Sequence, residues 1–332
     1  MKPAAGAMIP VYRSLNEIPA EFGRSIAAIG NFDGVHRGHQ EILGAVVRDA
    51  RANGARAVAV TFDPHPESVL RPQRAPRMLT SISERLRLIA GTGVDAVVLL
   101  TFDQELAHMP PREFVERVLV GALRVRGLHE GGNFRFGHRA AAGVKELAEF
   151  GAEFGFRIEV HQAVRVHGLE VSSSAVRELV AAGDMRRARW MLGRPFGVRS
   201  TQVRDRGVGT RQLVPTINLA PYHGLLPAFG IYVTRMTIGE RCFQAVSSLG
   251  NRPTFEGAGF SVETHILDFE PIDLTAETPL YLEFLYRLRG EEKFPSVEAL
   301  KAEILRDVAR AKRYFRLVSS YQPPNVRLMD SR

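Results

Sequence analysis

Residues 26–39 read Ile-Ala-Ala-Ile-Gly-Asn-Phe-Asp-Gly-Val-His-Arg-Gly-His, and their order decides the fold of the first half of the chain. The apolar run Ile26–Ile29 feeds a tight Gly30-Asn-Phe-Asp-Gly34 turn. Beyond it, Ile42, Leu43, Val46 and Val47 recur at helical spacing and predict a helix over Gln40 to Ala52. A strand, a glycine turn and a helix start make an anion site, because unpaired N–H groups and the helix dipole point at whatever binds there. His36 and His39 stand three apart, on one face of the first turn. With no third ligand nearby, they suit the oxygens of a polyphosphate better than a metal. The Walker pattern is absent, and glycines at 30, 34 and 38 do not match G-x-G-x-x-G. The spacing points to nucleotidyl transfer from a nucleoside triphosphate.

Strand and helix signals alternate outward from this turn. Val58–Phe62, Val94–Phe102 and Arg157–Val164 read as strands, and Ser83–Thr92, Pro111–Leu123 and Val144–Phe154 as helices. That alternation predicts an α/β, doubly wound, Rossmann-like parallel sheet whose ligands lie beyond the carboxyl ends of its strands. Ser172–Ala182 and Met185–Leu192 read as two further helices. Near Gly193-Arg-Pro195 the pattern changes. The runs Phe229–Met236, Cys242–Ser247, Val262–Phe269 and Leu280–Leu288, parted by Gly and Pro clusters, predict a small antiparallel β-barrel. A last helix, Ser296–Phe315, is expected to pack through Val297, Leu300, Ile304, Leu305 and Val308. The resulting division is 10–192, 193–318 and a Pro-rich tail at 319–332.

The chain has 332 residues, 45% hydrophobic and 24% charged, which is ordinary for a globular protein with two cores. No apolar run nears the roughly 20 residues needed to span a bilayer. Cys242 is the only cysteine, so an intrachain disulfide and a cysteine-rich zinc site are excluded. Cytoplasmic residence and no membrane partner are the simplest reading. The net charge of +8 is spread through both halves and not interleaved with aromatics, so no nucleic-acid partner is expected. A positive field suits small anionic substrates instead, and a monomer or weak homo-oligomer is expected.

Further motifs follow in order: Thr61-Phe-Asp-Pro-His-Pro66, Asn133-Phe-Arg-Phe-Gly137, Ser172-Ser-Ser-Ala-Val-Arg177, Leu192-Gly-Arg-Pro195, Pro215-Thr-Ile-Asn218, Asn251-Arg-Pro-Thr-Phe255 and Glu263-Thr-His-Ile-Leu-Asp-Phe269. With Gly30–His39 they resemble, in the same order, the motifs of the bacterial bifunctional riboflavin kinase/FMN adenylyltransferase (FAD synthetase) family. The resemblance runs from Ile26 to Phe315.

It implies two activities, with riboflavin, FMN and ATP as substrates, FAD as product and Mg²⁺ as cofactor. In the first half, Gly30, Phe32, Gly34, His36, Gly38 and His39 would hold ATP, the two histidines serving catalysis. Ser172, Ser173, Ser174 and Arg177 would grip its β- and γ-phosphates, although capping alone would also place serines at a helix start. Phe62, His65, Asn133, Phe134, Arg135 and Phe136 would meet the flavin, with Phe134 and Phe136 equally open to a core role. The family commonly has Asp where Asn133 stands. In the second half, Glu263 would be the base that activates the ribityl hydroxyl. Thr216 and Asn218 would offer oxygens to ATP and Mg²⁺, and Gly207 and Gly209 would let the backbone approach the nucleotide. Leu213, Val214 and Ile217 replace the family's usual Gly, Phe and Ala, and Thr275-Ala-Glu277 replaces Tyr-Gly-Lys. These departures leave open an adenylyltransferase whose kinase half is weakened or only holds flavin.

Overall fold

The computed structural model describes residues 9–203, 216–254, 257–268, 274–275 and 277–320. The strands Val11–Tyr12 (β1), Ser25–Ile29 (β2), Arg56–Asp63 (β3), Ala96–Thr101 (β4) and Val125–Gly131 (β5) join Arg157–His161 in one sheet. In space the order is β1-β4-β3-β2-β5 and then Arg157–His161, every pair parallel. This is the expected doubly wound sheet. The chain leaves β2 through the helix Arg37–Ala52 (α1), enters β3 on one side, and later returns to β5 on the other. The order therefore reverses between β2 and β5, where such sheets open a crevice at their carboxyl ends.

Both faces of β2 are covered, and all five of its residues are buried. Alternation sends Ala27 and Ile29 into a layer with Val60, Val98, Leu119 and Leu128, and Ile26 and Ala28 into a layer under α1 with Leu43, Val46 and Val97. β5 was not legible as a strand, because Arg126, Gly127, His129, Glu130 and Gly131 interrupt its apolar pattern. Parallel pairing to β2 and to Arg157–His161 makes it one, and buries both His129 and Glu130. The expected helix over Pro111–Leu123 is α-helical only for Pro111–Phe114. It continues as a wider π-helix, Val115–Ala122, closed by Leu123 N–H donating to Val118 O at 3.0 Å.

The second half forms a six-stranded antiparallel sheet, ordered Phe196–Ser200, Leu280–Arg289, Gly230–Ile238, Arg241–Thr254, Gly257–Ile266, Ile217–Asn218. Its two edges meet: Val203 N–H donates to Asn218 O at 3.0 Å and Ala220 N–H to Thr201 O at 2.8 Å. The sheet thereby curls into the expected barrel. Thr234, Ser247 and Thr264 link three strands through buried hydroxyls at 2.9 and 2.8 Å.

The helix Val297–Ser320 covers the outer face, setting Ala311 and Phe315 against Val233, Val246 and Leu285. The sequence-based packing face needs correction. Val297 and Leu305 are exposed, and the buried stripe runs Glu303, Asp307, Ala311, Phe315 at four-residue intervals. Arg289 on the barrel draws the acids inward, its Nε and Nη2 donating to Asp307 Oδ2 at 3.0 and 2.8 Å. Asp307→Ala would leave Arg289 without that partner and is expected to cost about 2 kcal/mol. Denaturant unfolding checks this, and a loss within the error of the measurement would exclude the anchoring role.

Candidate active site

The histidine turn occupies the carboxyl end of β2, where the strand order reverses between β2 and β5. His36 is the N-cap of α1, and its Nδ1 accepts from His39 N–H at 3.3 Å. The cap therefore orients the first ring while it satisfies one of the helix's free donors. The two rings stack at 3.6 Å between centroids and 17° between planes, and Phe32 meets His39 edge-on at 5.2 Å. Gly38 suits this stack, since a Cβ there would press on the His36 ring at 3.1 Å. Gly34 is required by its φ of +79°, and its Cβ would also strike Leu79 at 2.8 Å. Phe32 and the β-branched Val35 carry positive φ angles of 47° and 37° inside the same turn. Such strain persists only where the surroundings over-determine it.

Asp33 supplies that determination. Its buried carboxylate accepts from Leu79 N–H at 3.0 Å, from Thr80 N–H and the Thr80 hydroxyl at 3.1 Å each, and from Arg177 Nη2 at 2.7 Å. Its main-chain oxygen accepts from the Ser173 hydroxyl at 3.0 Å. Arg177 is thus brought to the turn by an ion pair, and its Nε also donates to Arg77 O at 3.1 Å. Among the serines, Ser172 accepts from Ala175 N–H at 3.2 Å and caps the helix Ser173–Ala181, Ser173 pins the turn, and Ser174 stays exposed.

His39 is held well below the ordinary imidazole value by burial, and then by repulsion from His36, Arg85 and Arg177. It is neutral at pH 7, and among the described residues its buried Nδ1 has no hydrogen-bond partner. His65 caps the helix Pro66–Leu70, accepting from Glu67 N–H at 3.2 Å. Burial, followed by Arg177, lowers its pKa as well. Phe62 packs edge-on to Phe102 at 5.8 Å, and its carbonyl accepts from Arg85 Nη1 at 3.1 Å. Phe136 is a core residue against Phe114, while Phe134 stacks on it at 5.6 Å and remains partly exposed. Asn133 and Arg135 are exposed.

Three participants were not named from the sequence. Asp33 was read only as part of the motif. Arg85 is buried, and its Nε lacks a partner among the described residues. Burial lowers its pKa, against the pull of Asp33 and Asp63. Glu130 on β5 accepts from Ile29 N–H, the last residue of β2, at 2.7 Å, and burial pushes its carboxyl well above the usual range. The Asp-Gly pair at 33–34 was a legible turn signal for the first. Arg85 depends on the helix Ile82–Ala90 lying against the end of β3, where it meets Phe62 O, and Glu130 on pairing across the sheet, and no local pattern carries either.

In the barrel, Asn218 and Glu263 are direct cross-strand partners, and Ser248 flanks Glu263 on its other side. Asn218 Oδ1 is buried without a hydrogen-bond partner among the described residues, and Glu263 and Thr216 are partly exposed. Ile217 pairs with Thr264, so alternation turns it to the opposite face, into the barrel. Its bulk is therefore not on the face that carries Asn218. Gly207, Gly209, Leu213 and Val214 lie outside the described residues, as do Phe255 and Ala276.

The family profile described as FAD synthetase matches residues 18–175, and the one described as riboflavin kinase matches residues 192–315. A bifunctional riboflavin kinase/FMN adenylyltransferase of Pseudomonas fluorescens is 36% identical over 301 residues, covering 90% of this chain and 96% of its own. The protein of the same description from Escherichia coli K12 is 33% identical over 305 residues, covering 92% and 96%. A solved structure titled as a macrolide-efflux protein from Streptococcus pneumoniae superposes with a TM-score of 0.83 at 25% identity, covering 92% of this chain and 99% of that one. The architecture is shared; the efflux in its title is said of that protein.

Glu130 yields a pH-dependent expectation. In the unfolded chain it ionises near pH 4.3, whereas the native protein keeps its proton to higher pH. Between those two values the native state binds more protons, so this contribution to stability, complete below about pH 4.3, is lost as pH rises towards the native pKa. Glu130→Gln keeps an oxygen for Ile29 N–H and removes the titration. The variant should show a flatter fall in stability above pH 5 and exceed the parent at pH 8 in urea unfolding. Superimposable curves would exclude a raised carboxyl.

Proposed function

We propose how these residues divide two reactions, from the premise that this chain belongs to the family of bifunctional riboflavin kinase/FMN adenylyltransferases. It phosphorylates riboflavin to FMN with ATP, and it adenylylates FMN to FAD with release of pyrophosphate. The stacked pair His36 and His39, at a helix N-terminus on the crevice edge of a parallel sheet, is the observation that carries the residue assignments.

Adenylyl transfer is assigned to residues 10–192. A phosphate oxygen of FMN attacks the α-phosphorus of ATP, and the bond to the β-phosphate bridging oxygen breaks. The nucleophile is already anionic, so positioning and stabilisation of charge suffice. His39, neutral, donates one N–H to a phosphate oxygen as charge develops, and His36 holds it there by stacking and capping. Gly30, Phe32, Gly34 and Gly38 shape the backbone cradle. The Ser174 hydroxyl, the N-terminus of the Ser173–Ala181 helix and the edge of Arg177 not engaged by Asp33 face the β- and γ-phosphates, with Ser172 and Ser173 as positioning residues. Buried Arg85 adds a fixed positive charge. Phe62, His65, Asn133, Phe134 and Arg135 meet the flavin, while Phe136 supports Phe134 from the core.

Phosphoryl transfer is assigned to residues 193–318, with 319–332 as a tail. The contact pattern changes unit for good after Gly193, close to this boundary, but groups Leu179–Arg189 with the residues from Arg194 onward and not with the first half. Glu263 accepts the proton of the ribityl hydroxyl as its oxygen attacks the γ-phosphorus. Asn218, with an unpartnered buried oxygen directly across from that carboxylate, and Thr216 fit a hard cation, and they are the residues that would hold Mg²⁺. Bound there, the ion would neutralise charge on the ATP phosphates. Gly207 and Gly209 are assigned to the nucleotide from sequence alone. The retained pair of Asn218 and Glu263, with Ile217 turned to the other face, favours a working kinase over a flavin-holding module. Cytoplasmic residence, supported by the lone exposed Cys242, completes the reading. So do a monomeric or weakly self-associating state and the absence of nucleic-acid or membrane partners; among the described residues no helix is long and apolar enough to cross a membrane.

Purified protein given riboflavin, ATP and Mg²⁺ should yield FMN and then FAD, resolved by chromatography over time. His39→Ala should slow FAD formation from FMN about 10²-fold or more and leave riboflavin phosphorylation intact. Glu263→Gln should do the reverse, by a factor on the order of 10² to 10⁴. Loss of both activities in either folded variant would overturn the division of roles.

A further inference from the structure

At the outer edge of the parallel sheet, three side chains that neither reaction uses converge. His129 of β5, with Glu159 and His161 of the strand Arg157–His161, brings one donor atom each to within 4.8 Å of one another. Strand register places them: His129 pairs with Glu159, and His161 follows two residues later on the same face. His129 Nδ1 lies 3.0 Å from His161 Nε2 and 3.7 Å from Glu159 Oε2, and His161 Nε2 lies 3.9 Å from Glu159 Oε1. Around tetrahedral zinc with bonds near 2.0 Å, ligand atoms stand ~3.3 Å apart, so small side-chain movements would close the set.

A fourth residue prepares the site. His129 Nε2 sits 2.9 Å from Asp49 Oδ2 on α1, and Asp49 is fixed in turn by Arg157 and by Asn53 Nδ2 at 2.8 Å. A carboxylate that accepts the Nε2–H of His129 leaves Nδ1 as a bare lone pair aimed at His161 and Glu159. That is the carboxylate–histidine arrangement which orients imidazole ligands to metals. His129 is 2% exposed, whereas the Glu159 side chain is 61% exposed, so the cluster has a fixed floor and an entrance that leaves room for water as a further ligand.

We infer that His129, His161 and Glu159 form a binding site for a divalent transition-metal ion of the zinc class, with Asp49 orienting His129. Two imidazoles and one carboxylate suit such an ion, and disfavour the hard Mg²⁺ that the kinase half would hold. His161 Nε2 and His129 Nδ1 stand at hydrogen-bond distance, 3.0 Å. Binding would require both of these nitrogens to offer lone pairs to the ion, with the His161 proton on Nδ1. Asp49 lies ten residues beyond His39, roughly 15 Å along α1, so the ion would sit apart from the histidine turn. It would fasten the edge strand to β5 and, through Asp49, to the helix that carries His36 and His39.

Full-length protein stripped with a chelator is titrated with Zn²⁺ by calorimetry, and separately with Co²⁺ by visible absorption. The wild type should bind one equivalent at this site, give a low-symmetry cobalt spectrum, and melt at higher temperature with zinc than without. His161→Ala and Glu159→Gln should each lose at least tenfold in zinc affinity and lose the thermal shift, while forming FAD in Mg²⁺ at the wild-type rate. His39→Ala should retain wild-type zinc affinity. Absence of zinc binding by the wild type, wild-type affinity in the folded Glu159→Gln and His161→Ala proteins, or loss of binding in His39→Ala would each overturn the inference.

Discussion

The buried carboxylate of Asp33 is the constraint on which the histidine turn, the proposed adenylyl-transfer site, depends. A charge with 1% of its surface exposed is tolerable only if every lone pair finds a partner. Asp33 meets that demand with donors from two separate segments: the backbone N–H groups of Leu79 and Thr80 with the Thr80 hydroxyl, and Arg177. Those bonds hold a turn whose Phe32 and Val35 occupy costly backbone conformations. They also bring Arg177 beside the stacked histidines from far along the chain. The same residue that stabilises the turn therefore gathers the groups proposed to hold phosphate.

Electrostatics at that site follow from the gathering. Arg85 and Arg177 are cations near His39, and with burial they keep that ring neutral. A neutral imidazole in a cationic surround can donate to a phosphate oxygen without adding a proton that must later be removed. Glu130, by contrast, is pushed by burial towards its neutral form, its carboxyl raised well above the usual range beside Ile29 N–H. Burial thus shifts the balance of charge beside the histidine turn, disfavouring the charged forms of His39 and Glu130 alike.

The barrel solves a different problem. Its hydroxyl ladder and apolar interior need no ligand, and its chemistry sits on the other face, where register sets Asn218 opposite Glu263. A one-residue slip of the short strand Ile217–Asn218 would put Ile217 beside Glu263 and bury the amide. Joining the edges through Thr201–Val203 and Asn218–Ala220 holds that register, so the closure of the barrel and the placement of the residues proposed for the kinase reaction are one event.

Much of this was legible in the residues themselves. Periodicity and the glycine-bounded histidine turn determined the parallel sheet, the helix that follows β2, and the placing of two histidines at its start, because each depends on residues within a few positions of one another. The change of period near Gly193 determined the barrel in the same way. Tertiary structure decided what depends on partners distant in sequence. It made β5 a strand despite its polar run, chose capping for Ser172 and core for Phe136, and turned the acid stripe of the last helix inward. It also recruited Asp33, Arg85 and Glu130, and assembled His129, Glu159 and His161 at one edge. Burial and charge pairing are properties of the packed whole, and a local pattern contains neither.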